Sequence, residues 1–183
     1  MNAPKPRRTL FTPTVVMALL AVAGVLALTS NATLFRSFGF DLPDRWFLDS
    51  YALLAASDAA AAGLDVEAPN PLDPLQRPHS YSDWWLGLRF LGLTRDHNFL
   101  FGGSWVLAYL AVAVALLRPR NWREAAMGAA VIAAPPMLLA VQRANNDLAI
   151  FILLGLAGLA WRADSVLRVG LSAVVIALAT GLK

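Results

Sequence analysis

Five consecutive residues, Arg143-Ala144-Asn145-Asn146-Asp147, place a guanidinium, two amides and a carboxylate between two apolar stretches with almost no loop around them. Ionisable groups at a membrane boundary are costly to keep there, so such a knot points first to a site. Arg143 could hold a phosphate with its planar fork of donors. Its ordinary alternative is a long side chain reaching from a helix end into water. Asn145 or Asp147 could equally cap the helix that follows.

A second chemical candidate is Asp49, within Phe47-Leu48-Asp49-Ser50-Tyr51. A carboxylate at a water–lipid boundary could take a proton from an acceptor hydroxyl as a general base. The competing reading is an acid in a helix first turn, favoured by the macrodipole. Asp41 and Asp44 are its rivals, with Asp44 better suited to a cap. Lys183 is a compact cation that could meet a phosphate or simply extend toward water. Tyr81 and the Trp84-Trp85 pair could stack on a sugar or lie in an aromatic interface belt. His79 and His97 are the only imidazoles, and with no cysteine in the chain no zinc site can be assembled convincingly.

The elements that must carry these groups are apolar. Hydrophobic residues make up 58% of 183, far more than a soluble domain of this length uses, so the chain reads as an all-α, multi-pass membrane protein. Its mildly basic balance is explained by orientation in a bilayer and does not imply nucleic acid. Five apolar segments are expected: 14–30, 99–117, 125–141, 148–161 and 166–182. Lys5, Arg7 and Arg8 precede the first; Arg118, Arg120 and Arg123 join the second and third; Arg162 and Arg168 join the fourth and fifth. Five crossings put all three clusters on one side, which the positive-inside rule makes cytoplasmic, together with the N-terminus. The other side receives a loop over 31–98, the Arg143–Asp147 turn and Lys183. Pro135-Pro136 should bend the third segment about 10 Å below Arg143. The chain reads as one membrane domain, 1–183, and as the N-terminal part of a longer protein.

The outer loop should hold two short helices. One is expected over 44–62, with Asp44 as cap and Gly63 as stop. A strap over 64–78, rich in proline, is expected to be extended and ordered by docking. The run Trp84-Trp85-Leu86-Gly87-Leu88-Arg89-Phe90-Leu91 reads as a helix lying in the interface.

Taken together, Phe47–Tyr51, the strap from Asn70-Pro71-Leu72-Asp73-Pro74 to Tyr81, the stretch from Trp84 to Leu91-Gly92-Leu93-Thr94, and Arg143–Phe151 a helix before Gly181-Leu182-Lys183 resemble a known family. It is the GT-C glycosyltransferases that use polyprenyl-phosphate-linked sugars, in particular the bacterial mannosyltransferase-like branch. The resemblance spans about 44 to 183. It departs at Ala144, where the family often has Gly, and at Ser80-Tyr81-Ser82, where it often has Asn-Tyr-Pro.

The resemblance implies a glycosyltransferase of the bacterial plasma membrane moving a sugar, mannose first among candidates, from a polyprenyl phosphate to a glycan or lipid acceptor on the outer face. Asp49 would be the catalytic base. Arg143 and Lys183 would hold the leaving lipid phosphate, and Asn145, Asn146 and Asp147 would order the outer end or bind sugar hydroxyls, with Tyr81 beside the substrate. No cofactor is implied; a divalent metal is compatible with such chemistry, but no ligand set demands one. The alternative is a non-catalytic component binding a lipid phosphate, a flippase or assembly subunit, which would use the same cations without needing Asp49.

Overall fold

A computed structural model describes residues 12–37, 46–161 and 166–182. Lys5, Arg7, Arg8, Asp41, Asp44, Arg162 and Lys183 fall outside them, and with them the expected Asp44 cap. Among the described residues the chain is helical, without strands. The helices are α1 (Pro13–Thr29), α2 (Ala32–Ser37), α3 (Leu48–Ala61), α4 (Asn98–Leu117), α5 (Trp122–Ile132), α6 (Pro135–Arg143), α7 (Asn146–Trp161) and α8 (Val166–Gly181). Two 3₁₀ segments, Asp83–Leu91 and Arg95–His97, lie between α3 and α4.

Among the described residues, α4 belongs to the one helix long and apolar enough to cross a membrane, Arg95–Leu117. Helices α5 and α6 make a second span if they are taken together across their 53° bend. The break has a plain cause. Pro135 and Pro136 lack N–H donors, and the residue before a proline is driven out of the helical region. Ala134 accordingly sits at φ −64°, ψ 143°. Helices α1, α7 and α8 are apolar but shorter. Large apolar side chains face outward along these elements, among them Leu100, Leu107, Met127 and Val131, each more than 60% exposed. Exposed apolar side chains in such number mark a surface that meets lipid or another protein.

Packing sets the ends. Gly155 lets α7 meet Val112 and Leu116 of α4, Tyr109 stacks edge-on with Phe151, and Gly128 accepts Met17 of α1. These contacts make α4 parallel to α7, and α1 parallel to α5. Asn146, at the start of α7, bonds Leu182 just past α8, so those two run antiparallel. The start of α4, the α6–α7 turn and the end of α8 therefore share one end of the bundle. Arg118 and Arg120 lie at the other.

The loop between α2 and α4 covers the first end. Helix α3 is shorter than expected from the sequence. Phe47 is left-handed, at φ 59° and ψ 43°, so the helix cannot run through it. Phe47 is instead wedged against Gly102, while its backbone N–H donates to Gln142 O at 2.9 Å. The strap also differs from an extended run. Asn70 Oδ1 accepts from Leu72 N, Asn70 O from Asp73 N, and Asp73 O from Gln76 N, so it is a chain of tight turns. The segment around Trp84-Trp85 is 3₁₀, with Trp85 and Leu88 turned inward three residues apart and Phe90 94% exposed. Ser57 docks it: its Oγ donates to Leu86 O and accepts from Arg89 N, both at 2.8 Å. Gly92, at φ 75°, ends it.

Candidate functional site

Asp49 lies in the first turn of α3, and its side chain is 4% exposed. Ser50 holds that turn in place, its Oγ donating to Asn98 Oδ1 at 2.7 Å, while Asn98 Nδ2 donates to Trp46 O at 3.4 Å. The start of α3 is thus pinned to the start of α4 through one amide. The Phe47 N–H to Gln142 O bond pins it to α6 as well.

Three side chains converge on the Asp49 carboxylate. Arg143 grips it with both arms of its fork, Nε donating to Oδ2 at 2.9 Å and Nη2 to Oδ1 at 2.6 Å. Asn145 Nδ2 donates to Oδ2 at 2.9 Å. Arg77 Nη1 donates to Oδ1 at 3.1 Å. A buried carboxylate needs such company, since desolvating an unpaired one costs far more than folding can supply.

The turn that delivers Arg143 and Asn145 is built for it. Ala144 adopts the left-handed conformation, at φ 45° and ψ 58°, and so ends α6 and lets α7 begin at once. Asn145 caps α7, its Oδ1 accepting from Asp147 N at 2.9 Å. One amide therefore caps the helix with its oxygen and holds Asp49 with its nitrogen. Asn146 is 3% exposed and turns away from Asp49, its Nδ2 donating to Leu182 O at 3.1 Å. Asp147 is exposed.

Arg77 carries no role in the sequence reading, yet it is the most heavily bonded cation of the cluster. Its Nε donates to Asp73 Oδ2 at 2.7 Å, Nη2 to Asp73 Oδ1 at 3.0 Å, and Nη2 also to Leu48 O at 2.8 Å. Burial disfavours its charge, but Asp73 and then Asp49 outweigh that and hold its pKa above the usual arginine value. Burial likewise works to raise the pKa of Asp73, and the bonds from Arg77 outweigh it, so that carboxyl titrates below its ordinary 3.8. The signal for Arg77 was present as Asp73 and Arg77 four apart, but a proline-rich strap gave no helix on which to pair them.

Tyr81 is half-buried beside the cluster, packed with Leu53, Leu54, Trp85 and Leu88. Burial, and next the Asp49 charge, push its phenol above the usual tyrosine value. A cavity of about 50 Å³ lies against it, lined by Ala52, Ala56, Arg77, Pro78, His79 and Ser80. That is room for a water or two, not for a sugar ring. Lys183 lies outside the described residues. Leu182 before it is docked by Asn146 and by Trp85, whose Nε1 donates to Leu182 O at 3.3 Å.

Of the candidate residues, then, the fold brings Asp49, Arg143 and Asn145 into contact, places Tyr81 beside them, and turns Asn146 toward α8. It adds Arg77. Among the described residues, no three His, Asp or Glu side chains gather as a metal would require. Between Asp49 and Asp73 the positive charge is supplied by Arg77. No protein-family model, curated protein or solved structure matches the chain.

Proposed function

We propose that the protein is a membrane glycosyltransferase that moves a sugar from a polyprenyl phosphate to an acceptor hydroxyl at the outer face. The observation that carries this reading is the contact between Asp49 on the loop helix and Arg143 and Asn145 on the α6–α7 turn. A base candidate and a phosphate-binding candidate, argued separately from sequence, occupy one site at one end of the bundle.

In this reading the chain crosses the bilayer five times, through α1, α4, the bent α5–α6 pair, α7 and α8. Sixteen-residue helices such as α7 and α8 are about 24 Å long, against a hydrocarbon core of about 30 Å. The bilayer thins locally around them, and Phe90, Leu91 and Trp84 lie in its interface.

In the reaction, the acceptor oxygen attacks the anomeric carbon of the donor, and the bond from that carbon to the phosphate oxygen breaks. The acceptor proton passes to Asp49, and the lipid phosphate leaves with the bonding electrons, its charge met by Arg143. Preorganised donors aimed at a developing charge are the largest single contribution in such transfers. Arg143 suits this role because only Nε and one N–H of Nη2 are spent on Asp49. No partner is bonded to the rest of its fork among the described residues.

The test is transfer by the protein in membranes from radiolabelled polyprenyl-phosphate sugars, mannose first, with wild type compared to Asp49→Asn. Transfer lost with donor binding retained supports the reading. Equal transfer by the variant removes Asp49 from the role of base.

One observation favours the second reading, a non-catalytic binder of lipid phosphate. Asp49 already accepts four bonds and is nearly enclosed, the state of a structural counter-ion. That reading expects no transfer from any donor by wild type, and binding of lipid phosphate that depends on Arg143.

A further inference from the structure

The two arginines that meet on Asp49 are not equivalent. Arg143 has the Asp49 carboxylate as its bonded partner among the described residues, is about a third exposed, and keeps an open edge. Arg77 is committed on three sides, to both oxygens of Asp73, to Leu48 O and to Asp49. Asp73 is 3% exposed, and the strap turns around Asn70 and Gln76 fix it. An incoming phosphate can compete with Asp49 for Arg143 at the cost of two hydrogen bonds. To draw Arg77 away it would have to break the Asp73 fork and leave a buried carboxylate unpaired, a much greater cost.

We propose that Arg77 is the positioning residue of the site: it holds the Asp49 carboxylate in place and oriented when Arg143 turns to an anionic phosphate. This rests on the glycosyltransferase reading. Asp49 as found accepts bonds from two guanidinium groups and an amide, and with its side chain only 4% exposed it is closed to an acceptor hydroxyl. Release from Arg143 alone frees one face of the carboxylate for the acceptor hydroxyl. The Arg77 bond to Oδ1 and the Asn145 bond to Oδ2 stop the carboxylate from swinging after its departed partner. Phosphate binding thereby arms the base, so a proton is taken only when a donor is present. Among the described residues, Asp49 interacts with Arg143 on α6, Arg77 on the strap and Tyr81 beyond it, while Asp73 pairs with Arg77 and the Asp147 charge acts on Tyr81.

The experiment uses the protein in nanodiscs, with polyprenyl monophosphate as binding probe and the polyprenyl-phosphate sugar that wild type transfers as substrate. Arg143→Gln should weaken probe binding by about tenfold or more, the loss of a charge-assisted fork. Arg77→Gln should leave the probe Kd within about threefold and lower kcat by about thirtyfold or more. The donor KM should stay within about threefold, so that the loss falls on kcat. Arg77→Lys keeps one donor but cannot grip Asp73 and Asp49 together, so it should lower kcat by about fivefold with the probe Kd again within about threefold, and it carries the test if Arg77→Gln does not fold. Either Arg77 variant weakening the probe as much as Arg143→Gln would overturn the proposal. So would an unchanged kcat in whichever Arg77 variant folds, or a donor KM that rises as much as kcat falls, which is what a merely structural role gives. Absence of transfer by wild type from every donor removes the glycosyltransferase reading and the positioning role with it, whereas wild-type transfer with kcat unchanged in the Arg77 variants removes only the latter.

Discussion

Arg143 and Asp49, 94 positions apart in the chain, share a two-bond ion pair in which the carboxylate is almost wholly buried and the guanidinium is not. That asymmetry organises the site. The anion is locked into the protein, and the cation keeps a face to its surroundings, able to accept a second anion.

Removing the buried partner should cost more than removing the exposed one. Asp49→Ala leaves two guanidinium groups facing each other and should destabilise the protein by about 3–5 kcal/mol. Asp49→Asn keeps the shape and an acceptor and should cost less. Thermal melting in detergent checks both, and it sets which variant is fit for transfer assays.

Gly102 should tolerate no side chain. A Cβ placed there would lie 2.6 Å from Cγ of Phe47. Phe47 cannot retreat, since its left-handed backbone and its N–H bond to Gln142 O both hold it. Gly102→Ala should therefore cost about 1–3 kcal/mol by overpacking. Because Asp49 follows Phe47 by two residues, transfer should fall further than stability does. Melting and transfer rates measured on the same preparation separate the two effects.

Ala144 pays for its left-handed backbone, about 1–2 kcal/mol for a residue with a Cβ. Ala144→Gly relieves that strain but gives up a fully buried methyl group, so its stability should stay within about 1 kcal/mol of wild type. Ala144→Val, β-branched at positive φ with no free space, should be destabilised by several times that amount. The pair of melting temperatures is the check.

The strap should loosen in acid. Asp73 titrates below its ordinary 3.8 when folded, so the stability it contributes is present above 3.8 and is lost as pH falls through the folded value. Limited proteolysis between about pH 6 and about pH 3 should find the strap cut faster at the acid end. Asp73→Asn should make the cutting rate high and far less dependent on pH.

Ser57 has no exposed surface, and its hydroxyl bonds both ways, to Leu86 O and from Arg89 N. Ser57→Ala should cost about 1–3 kcal/mol by stranding those two backbone groups. Hydrogen exchange at the Arg89 amide should rise while exchange in α4 stays unchanged.

Much of this was legible before any coordinates. Apolar runs, prolines and caps depend on nearest neighbours along the chain, and they located α4, α7, α8, the break at Pro135 and the stop at Gly63. The alternation of basic clusters gathered Asp49, Arg143 and Asn145 toward one side, and the helix directions agree. Local chemistry also made Asn145 a capping candidate, which it is.

What the sequence could not supply was set by contacts between distant segments. Phe47 leaves the helix because Gly102, far along the chain, opens a slot for its ring. The strap is folded into turns because Asp73 gains a buried partner only when Arg77 curls back. Arg77 enters the site, and Asn146 leaves it, through bonds to groups that no spacing rule relates to them. A buried charge is tolerable only where its partners converge, and that convergence is a property of three dimensions. The sequence thus determined which chemical groups this protein has and which end of the bundle holds them; tertiary packing alone decided which of them touch.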